Sequence, residues 1–184
     1  YMTEGVLTAT DAVKREADVK QINILGYCVG GTLTGTALSY LAARGETPIK
    51  SATFLTTQVD FTKAGDLLLF TGDAQLTALE EMMAERGYLD GRHMKTAFNL
   101  LRFRGPLWSY VVNNYLRGKA PFPFDLLYWN SDATRMPAAN HSFYLRNCYL
   151  NNALTKGAMT VADVTLDLKK VTIPIYNLAT REDH

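Results

Sequence analysis

The chain has 184 residues, with 19 Lys and Arg against 18 Asp and Glu, so its formal net charge is +1. This length suits one domain of ordinary size, and an apolar content of 47% is typical of a globular chain rather than a disordered one. The charge balance offers no basic excess for nucleic acid or an anionic membrane surface. No apolar run approaches the roughly 18 residues that a membrane-spanning helix needs.

Neither end of the sequence resembles a natural terminus. The chain starts with Tyr1 rather than Met, carries no signal peptide, and stops at His184 directly after a strand-like run. We therefore expect a part of a longer protein, truncated at both ends. The two cysteines, Cys28 and Cys148, are too few for a disulfide scaffold, and the expected compartment is the cytoplasm, where thiols stay reduced.

The first third of the chain predicts alternating helix and strand. A short helix is expected over 8–17, and a buried strand over 21–27. The small, apolar stretch 31–44 has helical spacing, and a second β-rich run follows at 51–57. A strand, a helix and a strand within about 35 residues indicate a parallel βαβ unit.

The pattern changes after residue 61. Helical patterns fill 64–118, and a block rich in proline, aromatic and turn residues follows before a strand-like run returns at 172–178. We predict an α/β core formed by 1–60 and 161–184, interrupted by a mainly helical insertion over 61–160. An insertion of this kind between sheet strands is typically a lid or cap over a site.

The clearest chemical motif is Gly26-Tyr27-Cys28-Val29-Gly30, between the first strand and the following helix. It has the G-x-nucleophile-x-G pattern of a nucleophile elbow, with cysteine in the usual place of serine. The two glycines are expected to leave room for a strained turn that lifts the thiol clear of the backbone. The Val29 N–H would be one oxyanion donor, and the helix N-terminus would favour the thiolate.

Two other interpretations of the glycine turn remain open. Cysteine is among the most buried residue types, so Cys28 could simply pack at a tight strand-to-helix turn. A phosphate-binding glycine loop is less favoured, because the Lys and the Ser or Thr that it requires do not follow "VGGT". The position between a strand and a helix favours the nucleophile.

A cysteine nucleophile needs a base, usually a histidine oriented by an acid. In α/β-hydrolases the order is nucleophile, acid, histidine, and Asp183 follows the last strand, although a helix cap or a solvated loop would explain it equally well. His184 is its neighbour and is expected to point away from it. His93 and His141 precede the acid and are expected to be surface or structural residues. The base is therefore expected outside the chain.

Other polar and aromatic residues carry weaker predictions. Cys148 lies on an aromatic helical face and is expected to pack in a core. Asp60 ends the second strand, where it could support the site or merely cap the next turn, and capping is favoured. The helical spacing of Trp108, Tyr110 and Tyr115 predicts the core of the insertion rather than a ligand site.

Several segments together resemble one enzyme family. "INILGYCVGGTLTGTALSYLAARGE", "PFDLLYWNSDAT", "ANHSFYLRN" and "REDH" occur in this order. They are similar to the polyhydroxyalkanoate synthases, the poly-β-hydroxybutyrate polymerase family, and "ANHSFYLRN" resembles the class I type. The resemblance runs over essentially the whole chain, which corresponds to a central part of such an enzyme.

The resemblance implies an α/β-hydrolase core with a cap, with Cys28 as nucleophile and Asp183 as triad acid. It places the triad histidine beyond the chain, so residues 1–184 alone are expected to be inactive. It implies an acyltransferase that polymerises (R)-3-hydroxyacyl-CoA, releases CoA, and needs no cofactor or metal because the CoA thioester is the substrate. The implied partners are the growing polyester, a second copy in a homodimer, and the granule surface in the cytoplasm.

Two alternative functions share parts of this pattern. A cysteine-dependent α/β hydrolase of the dienelactone hydrolase kind has the same elbow but does not need the aromatic insertion. A non-catalytic protein of the granule surface would keep the elbow without its chemistry. Labelling of the Cys28 thiol distinguishes the second alternative from an enzyme, because only the enzyme is expected to have a thiol that is more reactive than an ordinary one.

Overall fold

The structure is a computed structural model that describes residues 1–93, 96, 106–121, 132 and 135–181, without the side chains of 106 and 107. The chain divides into two compact units: Tyr1–Gly65 with Arg146–His184, and Asp66–Leu145. Helices combine with a parallel sheet, so the α/β class is confirmed. That the helical insertion forms a cap over a site stays a prediction.

The first unit contains the sheet and the helices next to it in the chain. Its elements are a π-helical turn Met2–Leu7, α1 (Thr8–Glu16), β1 (Ile22–Tyr27), α2 (Val29–Ala43), β2 (Ile49–Leu55), β3 (Thr160–Val161), β4 (Val164–Thr165), a 3-10 turn Leu168–Lys170 and β5 (Ile175–Leu178). The predicted βαβ unit is confirmed by β1, α2 and β2. Helix α2 begins two residues earlier than its spacing predicted, directly after Cys28.

The main sheet has the order β1-β2-β5, and both neighbouring pairs are parallel. The carboxyl ends of the three strands therefore meet at one edge. At this edge the Cys28 N–H donates to the Leu55 carbonyl at 3.0 Å, and the Thr56 N–H donates to the Leu178 carbonyl at 2.8 Å. These bonds extend the strand pairing by one residue and hold the segments after β1 and β2 in place.

Helix α2 packs on one face of this sheet. Its small, apolar residues are buried over most of its length, and a core forms where Leu38 and Leu41 meet Ile49 and Ala52 of β2. The helix ends at Ala43, and Gly45 follows with a positive φ of 69°, the left-handed conformation that glycine adopts without cost. The buried apolar residues of α2 therefore hold the helix against the sheet and fix the crossover from β1 to β2.

On the opposite face of the sheet, side chains of the two outer strands are exposed. Successive side chains in a strand alternate between faces, and the register aligns Leu25 and Tyr27 of β1 with Thr53 and Leu55 of β2. Leu25 and Tyr27 are exposed, as are Tyr176 and Leu178 of β5. Parallel sheets are usually covered on both faces. Within the described residues, the first unit covers its sheet on one side only.

The second unit contains further helices: α3 (Asp73–Ala84), α4 (Pro106–Tyr110) followed by a π-helical turn Val111–Leu116, and α5 (Ala138–Tyr144). A π-helical turn, Leu145–Leu150, follows α5 in the chain, and its residues from Arg146 onwards belong to the first unit. A 3-10 turn, Gly65–Phe70, precedes α3. Helices α3 and α5 are tied by a hydrogen bond from Ser142 to the Glu80 carboxylate. The Ala138 N–H donates to the Gly87 carbonyl at 2.7 Å, so the start of α5 is fixed to the chain after α3.

The expected core role of three aromatic residues in this unit is wrong. Trp108 is 63% exposed and Tyr115 is 81% exposed, and Tyr110 is exposed as well. Helical spacing shows which side chains share a face of a helix, but it does not show whether another element covers that face. Their positions in the helical segment 106–116 agree with the pattern, whereas their burial does not.

Acid is predicted to destabilise the protein through His141 of α5, which is buried with 6% of its surface exposed. Burial lowers its pKa below the ordinary value of 6.5. The unfolded chain therefore binds a proton that the folded chain resists, and the free energy of unfolding falls as pH drops below 6.5 towards the folded-state pKa. Denaturant unfolding of His141→Gln between pH 7.5 and 5 should show a weaker loss of stability than wild type.

The matched control is His93→Gln, because His93 is exposed. This variant should reproduce the wild-type pH dependence of unfolding. A wild-type slope in His141→Gln would contradict the assignment of acid sensitivity to the buried ring.

Candidate active site

Cys28 lies at the turn between β1 and α2, where the sequence motif predicted it. It occupies the N-cap position of α2 with φ 51° and ψ −124°, and the residue is exposed. A positive φ is strained for a residue with a side chain and persists only where the surroundings enforce it. This is the kind of strained strand-to-helix turn that a nucleophile elbow requires. The role of Cys28 as nucleophile stays a prediction.

One of the two glycines of the motif has the role expected of it, and the other does not. A Cβ added to Gly26 would lie 2.5 Å from the Gly31 Cα, so glycine is required there for β1 and α2 to approach. A Cβ added to Gly30 would meet nothing within 4 Å, so the expectation that Gly30 leaves room for the turn is wrong. The crowded position is Gly31, where a Cβ would overlap the side chain of Thr57.

The segment after β2 contacts the turn through polar groups that the motif did not reveal. The Thr57 hydroxyl donates to the Gly26 carbonyl at 3.3 Å, and the buried Thr32 of α2 donates to the Gln58 carbonyl at 2.6 Å. Thr56 has a φ of 47°, which is exceptional for a β-branched residue. The only sequence signal was the run of polar residues in "TTQVD" at the end of a strand.

Asp60 is held by a hydrogen-bond network. Its Oδ1 accepts from the Thr62 N–H at 3.0 Å and the Thr62 hydroxyl at 2.6 Å, which confirms the predicted turn cap. It also accepts from Asn152 Nδ2 at 2.7 Å. The hydrogen bonds from Thr62, followed by that from Asn152, lower the pKa of the Asp60 carboxyl, so it stays ionised. Sequence reasoning missed Asn152, which lies far away along the chain.

Val29 is the first residue of α2. The first N–H groups of a helix have no acceptor within the helix and project out of its N-terminal end. Because Cys28 is the preceding residue, the Val29 N–H belongs to the same turn as the exposed thiol. This placement agrees with a donor beside a reacting carbonyl, and its use as an oxyanion donor stays a prediction.

The second cysteine and the two histidines before the acid differ in burial, as their expected roles require. Cys148 is 2% exposed, and burial raises the pKa of its thiol to about 12, so it stays neutral and the packing interpretation is confirmed. His93 is exposed and His141 is buried, as expected of surface and structural residues. Asp183 and His184 lie outside the described residues. Strand β5, which leads towards them, ends at the same sheet edge as β1.

The part of the chain that the structure describes contains neither a cluster of metal-ligating side chains nor a membrane-spanning helix. Within it, no group of three or more His, Cys, Asp or Glu side chains could hold a metal ion. None of its helices combines the length and the apolar character required to cross a membrane.

The fold and the site define an α/β protein with an exposed cysteine on a strained turn at the carboxyl edge of a parallel sheet. Poly(3-hydroxyalkanoate) polymerase of Methylorubrum extorquens is 64% identical over 184 residues, which are 100% of the chain and 30% of the relative. The polymerase subunit PhaC of Rhizobium meliloti (strain 1021) is 56% identical over the same length, again 30% of the relative. That of Cupriavidus necator is 40% identical over 190 residues, 32% of its length.

The predicted resemblance to the polyhydroxyalkanoate synthases is thus confirmed over the whole chain. The chain spans about 30% of the length of these curated relatives. No protein-family model matches it.

The contrast between the two neighbouring glycines predicts opposite effects of alanine. Gly31→Ala should destabilise the protein by about 1–3 kcal/mol, because the new methyl group overlaps Thr57 in a packed contact. Gly30→Ala, in the same helix turn but with free space around it, should be neutral or stabilising by up to about 1 kcal/mol, since alanine favours helix. Denaturant unfolding measures both values, and equal effects would contradict the packing described here.

Proposed function

We propose that the chain carries the nucleophile of a poly(3-hydroxyalkanoate) polymerase, an acyltransferase that joins (R)-3-hydroxyacyl units from CoA thioesters. The observation that carries this proposal is Cys28, exposed at φ 51° on the turn between β1 and α2. It is supported by relatives that are named as such polymerases and that match the chain from end to end. The class I resemblance favours short monomers such as 3-hydroxybutyryl-CoA.

The proposed chemistry starts with the Cys28 thiolate. It attacks the thioester carbonyl, the bond from carbon to the CoA sulfur breaks, and CoA leaves as a thiol after taking up a proton. The new bond to Sγ is again a thioester, so the acyl group keeps its reactivity. The 3-hydroxyl of a second unit then attacks this carbonyl and gives its proton to the base, the bond from the carbonyl carbon to Sγ breaks, and the Cys28 thiolate is released. A thioester thereby becomes an oxoester, which is downhill. A serine nucleophile would already form an oxoester in the acyl-enzyme, and the transfer to the 3-hydroxyl would lose this driving force.

The strand order supports the proposed positions of the other catalytic groups. Neighbouring strands lie roughly 4.8 Å apart, so β1 and β5, separated by β2, are about 10 Å apart. An acid after β5 and a thiol after β1 would thus leave space for an imidazole between them. We assign Asp183 as this acid and place the histidine outside the chain. Val29 supplies one oxyanion N–H.

The parallel sheet and the elbow support an α/β-hydrolase fold for the complete core, with the helical insertion as its cap. A cap would exclude water, which competes with the hydroxyl for the acyl-enzyme. We further propose that the enzyme acts as a homodimer at the surface of polyester granules in the cytoplasm. These assignments follow the resemblance to the polymerases.

Cys28→Ala is predicted to abolish CoA release by the full-length enzyme, because no acyl-enzyme can form without the thiol. The assay is release of CoA from 3-hydroxybutyryl-CoA. Cys148→Ala is the matched control and should retain CoA release, since Cys148 is buried and unreactive. Normal release by a folded Cys28→Ala protein would transfer the role to another residue.

The products of the wild-type reaction separate the rival functions. Polymer together with CoA supports the synthase, whereas free 3-hydroxybutyrate together with CoA supports a hydrolase of the dienelactone hydrolase kind. A granule protein without catalysis would yield neither product.

Asp183→Asn is predicted to lower kcat for CoA release roughly 10²–10⁴-fold, because the imidazole loses the acid that orients it. Asp163→Asn is the control, since Asp163 lies exposed in the β3–β4 turn with a φ of 61° that asparagine also tolerates. An unchanged kcat in Asp183→Asn would remove Asp183 from the triad.

A further inference from the structure

The loop of residues 56–62 after β2, called the β2 loop below, joins two parts of the first unit. On one side it contacts the turn that carries Cys28. On the other side it contacts the segment of residues 152–155, some 90 residues later in the chain. The loop therefore connects the turn, through hydrogen bonds, to a segment that is distant along the chain.

On the side of Cys28, the contacts are close and specific. Thr57 fills the space above Gly31, where a glycine is needed, and its hydroxyl bonds the Gly26 carbonyl at 3.3 Å. The Gln58 carbonyl accepts the hydroxyl of the buried Thr32 at 2.6 Å. A shift of the β2 loop would therefore displace the residues on both sides of Cys28.

On the far side, Asn152 holds the loop with both ends of its amide. Its Oδ1 accepts from the Phe61 N–H at 3.0 Å, and its Nδ2 donates to Asp60 Oδ1 at 2.7 Å and to Thr62 Oγ1 at 3.0 Å. Asn152 is only 8% exposed and has a φ of 49°, a conformation that asparagine tolerates better than most residues. Thr155 adds a hydrogen bond from its hydroxyl to the Val59 carbonyl at 2.7 Å.

We propose that Asn152 is a positioning residue for Cys28, acting through the β2 loop. The Asn152 side chain bonds residues 60–62, so its effect passes from Asp60 and Phe61 along the loop to Thr57 and Gln58. A misplacement of about 1 Å at a reacting group can cost up to about 10²-fold in rate. The proposal rests on the proposed role of Cys28 as nucleophile. It gives the buried amide of Asn152, which is not a member of the triad, a role in positioning the thiol.

An exchange of the two side chains tests the proposal in the full-length enzyme. Asn152→Asp puts a second carboxylate against Asp60 and removes the amide donor. The double variant Asp60→Asn with Asn152→Asp restores one donor and one acceptor in reversed order, with no change in net charge. The matched control is Asn151→Asp, the same substitution at the exposed neighbouring residue.

Two readouts are compared: kcat and KM for CoA release from 3-hydroxybutyryl-CoA, and the rate of alkylation of Cys28 by iodoacetamide, identified by peptide mass spectrometry. We expect Asn152→Asp to lower kcat about 10- to 100-fold with little change in KM. Alkylation should fall about threefold or more as the turn relaxes and the thiol withdraws. The exchange variant should recover most of both values, and Asn151→Asp should match wild type.

The alkylation rate keeps this proposal separate from the proposed function. If the wild-type enzyme released no CoA, the polymerase proposal would fail, while the alkylation rates would still report whether Asn152 positions the turn. Equal alkylation rates in Asn152→Asp and Asn151→Asp would overturn the positioning role. So would an exchange variant with wild-type thermal stability that recovers neither kcat nor alkylation.

A second pair of variants covers the case in which Asn152→Asp does not fold. Thr32→Val removes the hydroxyl that bonds the Gln58 carbonyl, whereas Thr32→Ser keeps it. We expect Thr32→Val to lower kcat and Cys28 alkylation, and Thr32→Ser to retain both. Equal rates in the two variants would mean that the β2 loop does not position Cys28.

Discussion

The site depends on one backbone conformation, the positive φ of Cys28. A residue with a side chain leaves this region unless its neighbours prevent it, and such strain costs of order 1–3 kcal/mol. Here the Cys28 N–H is bonded to the Leu55 carbonyl, and its carbonyl accepts from the Gly31 N–H at 3.0 Å, so the peptide groups on both sides are fixed. The sheet on one side and the first turn of α2 on the other together enforce the turn that exposes the thiol.

That turn is possible only because the backbone of α2 approaches β1 and the β2 loop very closely. Gly26 and Gly31 face each other across this approach, and Thr57 fills the remaining space. A glycine in a helix is less favourable than alanine by roughly 0.5–1 kcal/mol. Gly31 therefore lowers the intrinsic stability of α2 but allows the contact. Gly31 is thus explained by packing against the β2 loop rather than by freedom of the chain.

The polar residues around the β2 loop stabilise a shape that apolar packing alone would not define. Loops at the end of a sheet expose backbone groups that need partners, and here threonine hydroxyls and one asparagine amide supply them. Thr56 adopts an unfavourable φ for a β-branched residue, which places Thr57 over the helix. Strain at Cys28 and at Thr56 therefore occurs side by side, at the ends of two paired strands.

The sequence by itself determined the βαβ unit, the place of Cys28 between β1 and α2, and the buried, inert character of Cys148. These follow from local periodicity and from the glycine-cysteine spacing, which act over a few residues. The tertiary structure decided that Gly31 rather than Gly30 is the crowded glycine, because the crowding comes from Thr57 in the β2 loop. It also decided the exposure of Trp108 and the pairing of Asp60 with Asn152, since burial and contacts between distant residues depend on how the elements pack.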